Sequence, residues 1–205
     1  MSELKTKEDL LNKLRAYHDT PDDDVIRYKD EIKENLLKCP ELLYALHSDS
    51  IEDELFDEDG NINWDGEWDR FYGANANIRP YLYIPDTQSD TQNYLCYQVS
   101  FNSIPKYNNI QKYTDVTFTI FVHKQDRDDK FTGLPRHDLI ASIIRERFNW
   151  SSIFGFQTKL VSNKESVMDN NYLVRTLIFE ILDTNGITYT PFNDDTYIRN
   201  DDYWQ

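Results

Sequence analysis

The chain has 205 residues and a net charge of −15, from 37 acidic and 22 basic side chains. This length suits one substantial hydrophobic core better than two independent domains. A surface this acidic repels phosphate backbones, which argues against sequence-unspecific binding of nucleic acid. Aromatic residues, at 14% of the chain, favour strands and interfaces and therefore suggest association.

The cysteine spacing and the hydropathy limit the cellular compartments that suit this chain. Cys39 and Cys96 are far apart and have no CxxC spacing, so the sequence predicts neither a disulfide framework nor a zinc cluster. No segment approaches the roughly 20 apolar residues that cross a bilayer, and the first residues lack the apolar stretch of a signal peptide. We expect a soluble chain without a membrane partner.

Residues 1–47 are predicted to form N-terminal helices. Leu10, Leu11 and Leu14 have helical spacing, and the acidic run 22–24 precedes a second amphipathic segment. Helix-start electrostatics explain this acidic run more simply than a metal site does. Pro40 suits the first turn of a third helix that continues to residue 47. The apolar positions of the second helix are Val25, Ile26, Ile32, Leu36 and Leu37.

Residues 48–76 form an acidic insertion, rich in Asn, Gly and Trp, that is predicted to be a long loop or a hairpin. Four oxygen-bearing side chains have the spacing of calcium ligands in an EF-hand loop: Asn61, Asn63, Asp65 and Asp69. With Gly66 at the sixth position, however, the twelfth is Tyr72 rather than a bidentate Glu. An acidic turn is therefore the main interpretation, and bound calcium is the second.

Strand patterns follow at residues 77–84, 94–101 and 113–123. Their connections are too short for helical crossovers, which predicts an antiparallel meander with Pro80 at a sheet edge. Residues 158–161 and 173–182 are predicted as closing strands. Within the last one, Arg175 falls on the core-facing side and Glu180 on the outer side, an awkward placement for Arg175 unless that edge is an interface.

The centre of the chain is the strand at 113–123, followed by a charged loop and a helix at 138–148. The helix carries one apolar stripe: Leu139, Ile140, Ile143, Ile144 and Phe148. The fold class is therefore α+β, with an antiparallel sheet and a central helix packed on one face. Residues 77–183 form this α+β core, and residues 184–205 form an extended C-terminal arm, in one domain overall.

Catalytic motifs of the common nucleotide-binding and hydrolase classes are absent. His123 and His137, with Asp126, Asp128 and Asp138, could converge on a metal. The simpler interpretation is that His123 ends a strand and Asp138 begins a helix. The sequence therefore predicts no enzyme and no cofactor. A metal-dependent enzyme is the third possibility, after the two non-catalytic functions described in the next two paragraphs.

The order of elements resembles that of the tail-terminator or neck proteins of tailed bacteriophages. The segments that carry the resemblance are 115–122, 136–144 and 173–182. The resemblance implies a structural virion protein, assembled in the host cytoplasm, whose subunits form a ring, commonly a hexamer. Such a ring caps the tail tube and joins it to the head connector, and DNA passes through it without specific binding.

Aromatic residues in the insertion and the arm are the predicted subunit or partner contacts, because aromatics dominate interface energetics. They are Trp64, Trp68, Phe192, Tyr197, Tyr203 and Trp204. Core placement is the alternative for the two tryptophans, and a frayed terminus is the alternative for the arm. The alternative function is a monomeric acidic protein that mimics nucleic acid and inhibits a basic partner.

Overall fold

The structure, a computed structural model, describes residues 6–16, 24–47, 51–64, 71–86, 92–103 and 111–184. The helices are α1 (Lys7–Ala16), α2 (Asp24–Leu37), α3 (Pro40–His47), α4 (Glu52–Leu55) and α5 (Arg136–Phe148). The strands are β1 (Ile78–Arg79), β2 (Tyr94–Ser103), β3 (Gln111–His123), β4 (Thr158–Met168) and β5 (Tyr172–Thr184). The α+β class and the N-terminal helices predicted from sequence are confirmed.

One five-stranded sheet organises the chain, in the order β1-β2-β3-β5-β4. The pairs β2–β3, β3–β5 and β5–β4 are antiparallel, as predicted. The prediction is wrong for the first strand, because β1 runs parallel to β2 with Ile78 opposite Leu95. The connection between the two strands, residues 80–93, has the dozen or more residues that a parallel crossover needs. Part of this return packs on the sheet, where the Tyr83 ring lies 5.0 Å from that of Tyr94. The sheet is therefore mixed.

The hairpin of β4 and β5 is longer than the sequence predicts. β4 extends to Met168, through a polar run that has no strand pattern of its own, because each residue from Ser162 to Met168 has a partner on β5. Asp169 and Asn170 connect the strands with φ of 48° and 58°, a conformation that these two residue types tolerate well. Pairing with β5 therefore stabilises a strand that the local sequence pattern does not predict.

The core lies between the sheet and the helices α2, α3 and α5, in one cluster of buried side chains. The Phe118 ring on β3 lies 4.9 Å from that of Phe148 on α5 and 5.7 Å from that of Phe179 on β5. Tyr28 on α2 donates a hydrogen bond to Asp183 on β5. The helices from residue 24 to residue 47 therefore share one core with the sheet.

Arg175 lies on the helix-facing side of β5, as its strand position predicts. Its Nη2 lies 2.6 Å from Asp138 Oδ1 on α5, and its Nη1 lies 3.6 Å from Glu165 Oε2 on β4. These ion pairs neutralise the charge of Arg175 within the chain, so its position on the helix-facing side is not unfavourable. An intermolecular interface is not needed to explain it.

Arg136, at the start of α5, is almost completely buried, with 1% of its surface exposed. Its Nε donates to the Asp126 carbonyl at 3.0 Å, and its Nη1 donates to the Ala45 carbonyl at 2.9 Å. Its Nη2 lies 3.0 Å from Asp126 Oδ1, and its Nη1 lies 3.8 Å from Asp129 Oδ1. One guanidinium therefore joins α3, the loop after β3 and α5.

Replacing Arg136 should destabilise the fold strongly. Arg136→Met leaves the Ala45 and Asp126 carbonyls without this donor and removes the cation beside the buried Asp129 carboxylate, so we expect a loss of about 3–5 kcal/mol in the free energy of unfolding. Urea denaturation measures it. Arg145→Met, at an exposed position of the same helix, is the matched control and should change stability by less than about 0.5 kcal/mol. Equal losses in both variants would contradict the anchoring role.

Candidate interaction surfaces

An open apolar groove of about 330 Å³ lies between α3, α4, the loop before α5, and α5 itself. Its walls are mainly aromatic and aliphatic: Tyr44, Phe56, Ile62, Phe131, Leu139 and Ile143. Ile62 and Phe131 are 63% and 73% exposed. Large apolar side chains that remain this exposed beside a cavity mark an interaction site more often than a solvated surface.

A tight turn forms the outer wall of this groove, because Phe56 and Ile62 pair as an isolated antiparallel bridge. The Asp57 carboxylate accepts hydrogen bonds from the backbone N–H groups of Asp59 and Asn61 and from the Asn61 side chain. These bonds lower the pKa of Asp57. The acidic-turn interpretation holds here, and Asn61, the first proposed calcium ligand, instead bonds to a carboxylate. Asp65 and Asp69 lie outside the described residues.

The loop before α5 forms the opposite wall, and Asp129 fixes its shape. The Asp129 carboxylate accepts from the Thr132 N–H and hydroxyl, both at 2.8 Å. Burial raises the pKa of Asp129, but these bonds and the charge of Arg136 outweigh burial, so the net shift is downward. Held in this way, Phe131 projects into solvent with its ring 5.8 Å from that of Tyr44.

The lowered pKa of Asp129 predicts how stability depends on pH. Because the folded-state pKa lies below the unfolded value, the ionised group stabilises the fold above about pH 4 and loses this effect as the pH falls further. Asp129→Asn should therefore cost about 1–3 kcal/mol near neutral pH and progressively less in acid. Urea titrations across this range measure the difference. Exposed Asp59→Asn is the control, and a pH-independent loss at Asp129 would contradict the electrostatic explanation.

The second candidate surface is the outer edge of β4, the last strand of the sheet. Its first residues are covered, since Thr158 exchanges backbone hydrogen bonds with Trp150 and Ser151. Among the described residues, no strand pairs with the rest of this edge. Val161 and Val167 are 49% and 59% exposed along it. An edge strand of this length is a template for pairing with another chain.

Trp64 is the predicted interface residue that the structure describes. It is half-buried, its Nε1 donates to the Leu37 carbonyl at 2.7 Å, and its ring lies 5.0 Å from that of Phe71. These contacts attach the insertion to α2, and a role of the remaining exposed part in an interface stays a prediction. The other predicted interface residues lie outside the described residues: Trp68, Phe192, Tyr197, Tyr203 and Trp204.

The two central histidines have separate surroundings. His123 Nδ1 accepts from the Gln125 N–H, and its ring lies 5.2 Å from that of Tyr172. His137 Nε2 lies 3.4 Å from Glu165 Oε1 and 3.6 Å from Asp138 Oδ1. In the part of the chain that the structure describes, no group of three or more His, Cys, Asp or Glu residues could hold a metal ion.

Both cysteines are buried. Burial, aided by a hydrogen bond with Glu41, raises the pKa of Cys39 to about 12. Burial raises the pKa of Cys96 to about 11. The thiols therefore stay protonated at neutral pH and are poor nucleophiles.

The described residues define an α+β protein whose open surfaces suit contacts with other macromolecules. Residues 34–181 match the YomW family over more than half of the chain, so the chain belongs to the YomW family. This family is phage-derived, of the Bacillus phage SPbeta type, which agrees with the phage origin that the sequence resemblance implies. No curated protein matches the chain. Within the described ranges, no helix is long and apolar enough to cross a membrane.

Proposed function

We propose that this chain is a structural virion protein that forms a ring at the head-proximal end of a phage tail, caps the tail tube and joins it to the head connector. Two findings support this proposal. The family is phage-derived, and the matched region contains both the apolar groove and the open edge of β4. Two different surfaces on one subunit favour head-to-tail contacts, and such contacts form a ring when the rotation between neighbouring subunits closes.

The observation that carries the proposal furthest is the open edge of β4. Backbone N–H and C=O groups along this edge can pair with a strand of a neighbouring subunit without any special side-chain chemistry. The exposed Lys164 adds charge to the edge strand, which disfavours indiscriminate pairing and leaves room for a matched partner.

The net charge of −15 is compatible with a ring that DNA crosses. An acidic channel wall does not hold phosphate groups, so DNA moves past it without being retained. The same charge would suit a monomeric acidic protein that mimics nucleic acid. The two functions differ in location, because a mimic binds a basic partner outside the particle.

Deleting the gene from a phage that encodes this chain tests the proposal directly. We expect lysates with filled heads and separate tails, seen by electron microscopy, and we expect mass spectrometry to find the chain in purified wild-type particles. Normal particles after deletion, or absence of the chain from wild-type particles, would contradict the virion function. Recovery of the chain in a discrete complex with a basic host protein would instead indicate the mimic.

Charging the open edge should block assembly. The double variant Val161→Lys, Val167→Lys places two cations where a neighbouring strand would pair, and we expect it to lower the titre of the deletion phage by roughly tenfold or more relative to the wild-type gene. Plaque counts after complementation measure this.

Ile84→Lys is the matched control for this variant. Ile84 is 67% exposed and follows Tyr83, which packs on Tyr94 of β2, away from β4. The control gene should restore the titre fully. If the edge variant also restored the full titre, the β4 edge would have no role in assembly.

A further inference from the structure

The first helix leaves its apolar side chains in solvent. Leu10, Leu11 and Leu14 are 45%, 39% and 55% exposed. Their spacing places them on one side of α1, as in helices that dock into grooves. An isolated helix this short is marginal in water, so it gains from a partner that covers these leucines.

The start of α1 is nevertheless well defined. The Thr6 hydroxyl accepts from the Asp9 N–H at 3.1 Å, and the Asp9 carboxylate accepts from the Thr6 N–H at 3.0 Å. This reciprocal pair is a capping box, which satisfies backbone donors at the beginning of a helix. The sequence therefore specifies a helix here, although its apolar side is exposed in this chain.

The groove beside α3 and α5 is the complementary feature. Its walls are apolar, and Ile62 and Phe131 remain largely exposed at its mouth. Among the described residues, nothing covers the leucines of the amphipathic helix α1, and nothing occupies the apolar groove.

The charges of α1 and of the groove rim also favour docking of this helix in the groove. In a chain of net charge −15, α1 carries three basic and two acidic residues, a net charge of +1, with Lys13 and Arg15 in its last turn. The turn with Asp57 and Asp59, which follows directly from Phe56, places exposed acidic side chains at the rim of the groove. Glu41 also lines the groove, but its Oε1 lies 4.0 Å from Arg147 Nη1, so its charge is partly neutralised. The basic end of α1 therefore complements the rim of the groove.

We propose that α1 of one subunit docks into the apolar groove of the neighbouring subunit, with its leucines inserted between Ile62 and Phe131. The proposal rests on the proposed ring function and specifies a second contact between subunits, which acts together with pairing at the β4 edge so that loss of either contact prevents assembly. The helix and the groove are different surfaces, so the contact is heterologous and can be repeated around a ring.

Two variants separate the two halves of this contact. The helix variant, Leu10→Asp with Leu14→Asp, keeps the groove intact, and the groove variant, Ile62→Asp, keeps the helix intact. All three positions are exposed, so both chains should fold. We expect light scattering after size exclusion to show an oligomer for the wild-type chain and a monomer for each variant alone. An equimolar mixture of the two variants should give a heterodimer, since one intact contact remains.

Matched controls add the same charge elsewhere. Asn12→Asp lies between the leucines in sequence but points to another side of α1, and Ile84→Asp replaces an isoleucine that is 67% exposed. Both controls should retain the wild-type mass. Variants that keep the wild-type oligomer, or a mixture that stays monomeric, would overturn the docking.

A labelled peptide of residues 6–16 provides a second readout. We expect it to bind the helix variant, whose groove is free, and to bind at least tenfold more weakly when Ile62→Asp is added. Failure to bind would overturn the proposal. A wild-type chain that stays monomeric although the peptide binds would place α1 in its own groove, which also overturns it. The ring function is judged separately, by the presence of the chain in phage particles.

Discussion

The buried guanidinium of Arg136 is the interaction on which the arrangement of the helices depends. It binds the Asp126 carbonyl, which follows β3, and the Ala45 carbonyl near the end of α3. A buried charge is costly unless it is paired and hydrogen-bonded, and the two carbonyls together with the Asp126 carboxylate supply such partners. Because Arg136 belongs to α5 and bonds to α3, it helps to define the groove between these two helices.

The sheet determines where the two candidate surfaces lie, the apolar groove and the open edge of β4. β3 lies at its centre, and Phe118 joins it to α5 and β5. The helices cover one side of the sheet and β4 ends it, so the groove and the open edge are held by one rigid core. A subunit with two fixed and different surfaces can meet identical neighbours at a constant angle, which a closed ring requires.

Family membership and physical chemistry support different parts of the functional argument. Membership in a phage-derived family gives the biological setting. The acidic charge, the edge strand and the apolar groove supply the reasons for an assembly role. Burial raises the pKa of both cysteines, and the two central histidines have different neighbours, so the assembly proposal does not depend on these residues.

The sequence by itself determined the helices α1, α2, α3 and α5, the strands β2, β3 and β5 and the α+β class, because apolar periodicity depends only on which face each residue presents. It did not predict the short helix α4, which lies where a loop or a hairpin was expected. It did not determine the parallel pairing of β1, since a two-residue strand carries no signal of direction. It also missed β4 beyond Val161 and the burial of Arg136. A polar strand and a buried cation become favourable only when distant residues supply their partners, here β5 for the strand and Asp126, Asp129 and Ala45 for the cation. The groove likewise arises from segments far apart in the chain, so only the tertiary structure decided where it lies.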